Sequence, residues 1–133
     1  MKKAVVYWSG TGNTEAMARA VAEAAGAELF TASGFSAAKA DEFDSIAFGC
    51  PAMGAEALEE TEFEPMFEGV KSHLSGKRVA LFGSYGWGDG DWMQLWEDDC
   101  RAAGVSLVHE SVICSGEPDS QALAKCRALG AAL

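Results

Sequence analysis

Two short runs constrain this chain most: Ser45-Ile46-Ala47-Phe48-Gly49 and Val79-Ala80-Leu81-Phe82-Gly83 are apolar on both alternating faces. A strand with one face in water alternates apolar and polar residues, so runs like these belong at the centre of a sheet covered on both sides. Segments able to cover it are present. Helical periodicity falls at 13–25, 63–74, 90–103 and 119–131, with a short stretch at 37–42, and strand-like runs fall at 3–8, 27–31, 44–50, 78–84 and 105–114. Gly26, Gly76 and Gly104 close three of the helical stretches. The alternation predicts an α/β doubly wound parallel sheet of five strands with helices on both faces.

A chain of 133 residues buries roughly 68% of the surface its unfolded form exposes and needs no disulfide to hold a core. Cys50, Cys100, Cys114 and Cys126 are far apart, with no Cys-x-x-Cys pair and only two histidines. Zinc and thioredoxin-type chemistry are therefore excluded, and the cysteines read as small buried hydrophobes in a reducing cytoplasm. His73 and His109 read as solvated. The start, Met1-Lys2-Lys3, leads into a short apolar stretch without a cleavage site, and no run is long enough to span a bilayer, so the expectation is a soluble, unprocessed cytoplasmic monomer. Net charge is −10, from 20 acidic and 10 basic residues. That balance argues against nucleic acid and favours partner proteins with basic docking faces.

Ligands of a doubly wound sheet bind beyond the carboxyl ends of the strands. Three segments fall there: Ser9-Gly10-Thr11-Gly12-Asn13-Thr14, then Cys50-Pro51-Ala52-Met53-Gly54-Ala55-Glu56, then Ser84-Tyr85-Gly86-Trp87-Gly88-Asp89-Gly90. In the first, Gly12 is followed by Asn13 where a P-loop needs lysine, and Glu15 stands where the dinucleotide fingerprint needs its third glycine. What remains is a nest of backbone N–H groups at a helix start, supplemented by the hydroxyls of Ser9, Thr11 and Thr14 and the amide of Asn13. That set suits one compact monophosphate. The plainer reading is a helix cap in a tight turn, but a cap accounts for one polar residue and not six in a row.

The other two segments suit a flat ring. Trp87 stands between two glycines in a polar loop, where an indole is placed to stack on a planar ligand, and Met53 is a polarizable side chain able to cover the opposite face. Trp92 and Trp96, four residues apart on the following helix, belong to the core instead.

Tyr-Trp-Ser-Gly-Thr-Gly-Asn-Thr at 7–14, Cys-Pro-Ala-Met-Gly at 50–54, Glu-Pro at 64–65 and Leu-Phe-Gly-Ser-Tyr-Gly-Trp-Gly at 81–88 together resemble flavodoxin, most closely the short-chain, clostridial type. The resemblance covers essentially the whole chain. It implies a single FMN-binding domain over 1–133, strand order 2-1-3-4-5, and a noncovalent FMN carrying single electrons at low potential between proteins. By matched residue, Ser9 through Thr14 would hold the phosphate, Met53 and Trp87 would cover the two ring faces, Glu56 would accept from flavin N3–H, and backbone groups of Gly86 to Asp89 would meet the pyrimidine edge.

The resemblance also implies a mobile peptide at Gly54-Ala55 whose carbonyl turns toward flavin N5 on reduction. Ala55 departs from the glycine or asparagine that the third position of a type II turn favours, so weaker stabilisation of the one-electron-reduced flavin is expected. Pro51 departs from a serine found in some relatives near the phosphate. Glu56, Glu59, Glu60, Glu62, Glu64 and Glu68 crowd one segment. Each unit charge about 12 Å away costs added negative charge on the order of 0.4 kcal/mol in a water-like medium. A low second potential follows; the acids also suit a helix start near Pro65.

The rival readings are a small FMN-dependent reductase of the same fold, a passive FMN store, and a phosphoacceptor domain. The last lacks its acidic residues, since Trp8-Ser9 and Cys50-Pro51 occupy those places. The motifs leave undecided whether Gly116-Glu117 approaches the flavin.

Overall fold

The structure is a computed structural model that describes residues 2–53, 57–86 and 88–133. The apolar runs form β1 (Lys3–Tyr7), β2 (Glu28–Thr31), β3 (Ser45–Gly49) and β4 (Arg78–Tyr85), followed by β5 (Ser106–Leu107) and β6 (Val112–Ser115). Between them run α1 (Asn13–Ala25), α2 (Ala37–Ala40), α3 (Phe63–Val70), α4 (Asp91–Ala102) and α5 (Ser120–Ala132). The strands are parallel in the order β2-β1-β3-β4-β5, with β6 also paired to β4. The doubly wound order 2-1-3-4-5 is therefore present.

Register makes the two-sided core. Val5, Ala47 and Ala80 stand side by side, as do Val6, Phe48 and Leu81 one residue on. Because side chains alternate in direction, the first row points one way and the second the other. The row of Val5, Ala47 and Ala80 packs under Met17, Ala18 and Val21 of α1 and Cys126 and Leu129 of α5. The opposite row packs against Phe63, Phe67 and Val70 of α3 and Trp92 and Trp96 of α4. Phe67 meets Phe48 edge-on at 5.1 Å, and Trp96 meets Phe63 edge-on at 5.4 Å. Both tryptophans of α4 are core residues, and Cys50, Cys100 and Cys126 are buried free thiols with Cys114 half-buried.

Two expected elements are divided. The run at 105–114 forms two strands, because Leu107 stands opposite Val79 and Val112 opposite Phe82, so the outer chain uses two residues more than β4 over that interval. The surplus is polar. His109 Nδ1 lies 2.8 Å from the Glu110 carbonyl, and the Ser111 hydroxyl donates to Glu97 at 2.6 Å, so these residues bond outside the ladder. The sheet accordingly has six strands, not five. The stretch at 63–74 is helical only to Val70 and tightens into a 3₁₀ turn at Lys71–His73. There Lys71 is held by Asp99 of α4 at 3.0 Å and by Glu68, and the tighter turn seats the buried Leu74.

Close approach at Gly83 holds β3 and β4 together where the site begins. A Cβ at Gly83 would meet the Cys50 carbonyl oxygen at 2.2 Å, and that same carbonyl accepts from Trp92 Nε1 at 3.3 Å. At Gly69, in α3, an added Cβ meets nothing within 4 Å. Gly83→Ala is therefore expected to destabilise by about 2–3 kcal/mol through overpacking, whereas Gly69→Ala is expected to stabilise by about 0.5 kcal/mol. Urea unfolding of the two variants checks the opposite signs.

Candidate cofactor site

The chain segments leaving β1, β3, β4 and β6 meet at one edge of the sheet and enclose a cavity of about 240 Å³. Its walls are Trp8, Gly10, Thr11, Asn13 and Thr14 from the first segment, Pro51, Ala52 and Met53 from the second, Ser84, Tyr85 and Gly86 from the third, and Gly116 after β6.

The first wall is an open helix end. Gly12 adopts φ +97°, a left-handed conformation in which most side chains are strained, and it stands as the N-cap of α1 with no side chain capping the helix. Within α1 the first ladder bond runs from the Ala16 N–H to the Gly12 carbonyl at 3.0 Å. The N–H groups of Asn13, Thr14 and Glu15 thus have no acceptor inside the helix and carry the positive end of its dipole. Ser9 braces the turn, its Oγ accepting from the Gly12 N–H at 3.0 Å while its own proton stays free to donate. Thr14 is buried and shares one hydrogen bond of 2.9 Å with the Ser84 hydroxyl, which ties the first segment to the third and leaves one proton of the pair unused. The nearest cation along α1, Arg19, is exposed and paired with Glu15 at 2.7 Å. Donation from this wall is neutral.

The second segment prolongs the β3 ladder onto β4. The Cys50 N–H donates to the Phe82 carbonyl at 3.2 Å and the Ala52 N–H to the Ser84 carbonyl at 3.0 Å. Met53 and Ala57 then exchange both backbone hydrogen bonds, at 2.8 and 3.1 Å. Met53 is 37% exposed and lines the cavity. The expectations for Gly54, Ala55 and Glu56, including the turn and the N3–H acceptor, lie outside the described residues, as does the ring-stacking role expected of Trp87.

Beyond that, Glu59 departs from its place in the acidic run. It is buried, 4% exposed, and its carboxylate accepts from the N–H groups of Thr61, Glu62 and Phe63 at 2.8–2.9 Å and from the Thr61 hydroxyl. Burial pushes its pKa up, but the Thr61 hydroxyl and the three backbone donors outweigh burial and hold it at about 2. Its own N–H donates to Cys50 Sγ at 3.3 Å, and burial keeps that thiol neutral by pushing it up to about 12. Glu60, Glu62, Glu64 and Glu68 are exposed.

In the third segment Tyr85 is half-buried and tilts against Trp92 at 5.4 Å, while Gly86, Gly88 and Asp89 are exposed. Gly88 and Asp89 do not line the cavity. The Gly116 N–H donates to the Tyr85 carbonyl at 2.8 Å, which brings the segment after β6 to the cavity wall, and Glu117 flanks a neighbouring hollow beside Thr11 and Asn13. Trp8 and Gly116 are the lining residues that the motifs did not single out as ligand contacts. Trp8 directly precedes the phosphate-type turn, a signal that was available.

A family model for flavodoxin matches residues 5–130. Among curated relatives, a flavodoxin of Clostridium beijerinckii is 47% identical over 86% of this chain and 87% of its own length, and one of Megasphaera elsdenii is 42% identical over 96% and 95%. The solution structure of two-electron reduced Megasphaera elsdenii flavodoxin superposes with a TM-score of 0.89 at 39% identity, covering 98% of this chain and 96% of that one. The chain belongs to the flavodoxin family. Flavodoxins are electron-transfer proteins without a substrate of their own, and their cofactor is FMN. The donor set here fits that group, because a flavodoxin phosphate needs anion-binding N–H groups and α1 offers uncapped ones beside a slot with apolar walls.

The lowered pKa of Glu59 makes the stability of the fold pH-sensitive between 4.5 and about 2. Its charge contributes stability that is complete above the ordinary carboxylate value of 4.5 and is lost as pH falls from there toward 2. Glu59→Gln is expected to remove that share of the acid slope and to cost about 1–3 kcal/mol at neutral pH, since an amide cannot accept from all four donors. Unfolding free energies from pH 7 down to 2.5 check both.

Proposed function

We propose that residues 1–133 form one domain that holds FMN in the cavity at the carboxyl edge of the sheet and works as a low-potential carrier of single electrons between proteins. The observation that carries this reading is the uncapped, neutral helix start of α1 opening into a slot walled by Met53, Tyr85 and Gly86. When bound, FMN supplies the one-electron chemistry. The N–H groups after Gly12 bind its phosphate, with the protons of Ser9, Thr11 and Thr14 and the Asn13 amide completing the set. Met53 and Trp87 would cover the two ring faces, with Pro51, Ala52, Ser84 and Tyr85 beside them, and backbone groups of Gly86, Gly88 and Asp89 would meet the pyrimidine edge. As the family resemblance implies, the Gly54-Ala55 peptide would serve flavin N5 and Glu56 would accept from flavin N3–H.

Charge supports the choice of partners. No lysine, arginine or histidine occurs in 9–18, 50–70, 84–100 or 115–124, the stretches that surround the cavity. Exposed Glu60, Glu62, Glu64, Asp89, Asp91, Glu117 and Asp119 lie in those same stretches. Lys3 and Arg78 instead begin β1 and β4, and Lys2 and Lys77 precede them, at the opposite edge. The cations at that edge stand among Glu28, Glu42 and Asp44, so the two ends differ in that the cofactor end carries acids without cations. A partner with a basic face is steered to that acidic end, and the electron has the shortest distance to travel there. The same field resists added negative charge on the flavin and keeps its potential low. The protein acts as a monomer in the cytoplasm; no helix among the described residues is long and apolar enough to cross a membrane.

Titration of the cofactor-free protein with FMN is expected to quench flavin fluorescence at one equivalent. Gly12→Ala adds no clash, since nothing lies within 4 Å of the new Cβ, but strains φ +97° and so re-aims the phosphate amides. At least tenfold weaker binding is expected from it. With the loaded protein, electron delivery to a basic haem protein is expected to slow as salt rises, and the triple change Glu60→Gln, Glu62→Gln, Glu64→Gln to flatten that dependence. Salt-independent delivery would remove the docking face.

A further inference from the structure

Among the described residues Glu59 is the one buried carboxylate, and its bonds exceed what a helix start requires. An exposed serine or aspartate caps a helix with one or two hydrogen bonds, so nothing about α3 demands a carboxylate taken out of water. Residue 59 is engaged at every polar group it has. The carboxylate accepts from Thr61, Glu62 and Phe63, the carbonyl accepts from the Glu64 N–H at 2.8 Å, and the N–H reaches back nine residues to Cys50 Sγ at 3.3 Å.

That last bond closes a loop. The chain leaves the β3 end at Cys50, passes Pro51, Ala52 and Met53 on the cavity wall, turns back through the Met53–Ala57 pair, and returns to Cys50 at Glu59. Cys50 is also the anchor on the other side, since its carbonyl accepts from Trp92 of α4, the helix that follows the third segment. A rigid path therefore runs from the start of α3 through Glu59 and Cys50 to α4.

We propose that Glu59 is a positioning residue for the cofactor: by clamping the return of the 51–58 segment to Cys50, it holds Ala52 and Met53 at the distance from Tyr85 and Gly86 that the ring needs. This rests on the reading that the cavity binds FMN. Glu59 does not line the cavity, so its influence passes through the backbone of the segment it closes.

The test uses Glu59→Gln and, as a milder variant in case the first does not fold, Thr61→Val, which removes the hydroxyl donor alone. Four readouts are compared with the unaltered protein: thermal midpoint, amide hydrogen exchange at Met53 and Ala57 in the FMN-free chain, FMN affinity, and the reduction potentials of the loaded form. In Glu59→Gln, exchange at Met53 and Ala57 is expected to quicken at least tenfold while amides of β1 keep their protection. FMN affinity is expected to fall at least tenfold with shifted potentials, and Thr61→Val is expected to move each readout the same way by less. A lowered thermal midpoint with exchange, affinity and potentials unchanged would make Glu59 a structural cap only and overturn the proposal; if Glu59→Gln does not fold, the same result in Thr61→Val overturns it. Failure of the unaltered protein to bind FMN would instead overturn the cofactor reading, with the exchange arm still deciding whether Glu59 clamps the segment.

Discussion

Between their ends, strands β3 and β4 have no face toward water, and that constraint places everything else. The residues of β3 and Val79–Ser84 of β4 are buried in both directions, so both strands must be covered by helices on each side, and the parallel ladder makes the connections between neighbouring strands cross from one edge of the sheet to the other. Polar chemistry has nowhere to go but the edges. At the carboxyl edge the glycine at 83 lets the Cys50 carbonyl approach β4 closely enough to meet the indole of Trp92, and the second and third segments leave from that junction.

From this junction the site follows by short steps. Thr14 and Ser84 share a buried hydrogen bond, so the first and third segments are tied by side chains, whereas the second and third are tied by backbone and by Trp92. The anion end uses amide dipoles and hydroxyls without a lysine. In the proposed site, a neutral cradle would leave the cofactor's own charge in place and let the surrounding carboxylates raise the cost of adding more, which is useful in a carrier that must give electrons away. A cation at the phosphate would have worked against that field.

How much of this was legible in the residues depended on whether the signal was local. The bounds of α1, 13–25, agree at both ends because Gly12 and Gly26 both take left-handed conformations that mark the stops. The central strands were legible because a run without alternation has few alternatives. The edge strand was not, since 105–114 is apolar enough to read as one strand while the polar side chains at 109–111 find partners outside the ladder. Glu59 shows the limit most clearly. Among six glutamates its letter is no different from its neighbours', and only the three-dimensional return of the chain to Cys50 turns it inward and binds it to the donors at 61–63. Gly116 reached the cavity wall through a backbone bond to Tyr85, an interaction with no side-chain signature to read.

The central claim is that the three strand-end segments and the end of β6 act as one cofactor cradle, and backbone amide shifts on FMN addition test it most directly. The account predicts that one equivalent of FMN moves the amides of Gly10 to Glu15, Ala52, Met53, Tyr85, Gly86 and Gly116 together, with one dissociation constant, while those of 109–113, which line a separate cavity of about 250 Å³ beside α5, stay in place. Shifts centred on 109–113, or phosphate-segment shifts without any at Met53 and Tyr85, would contradict it.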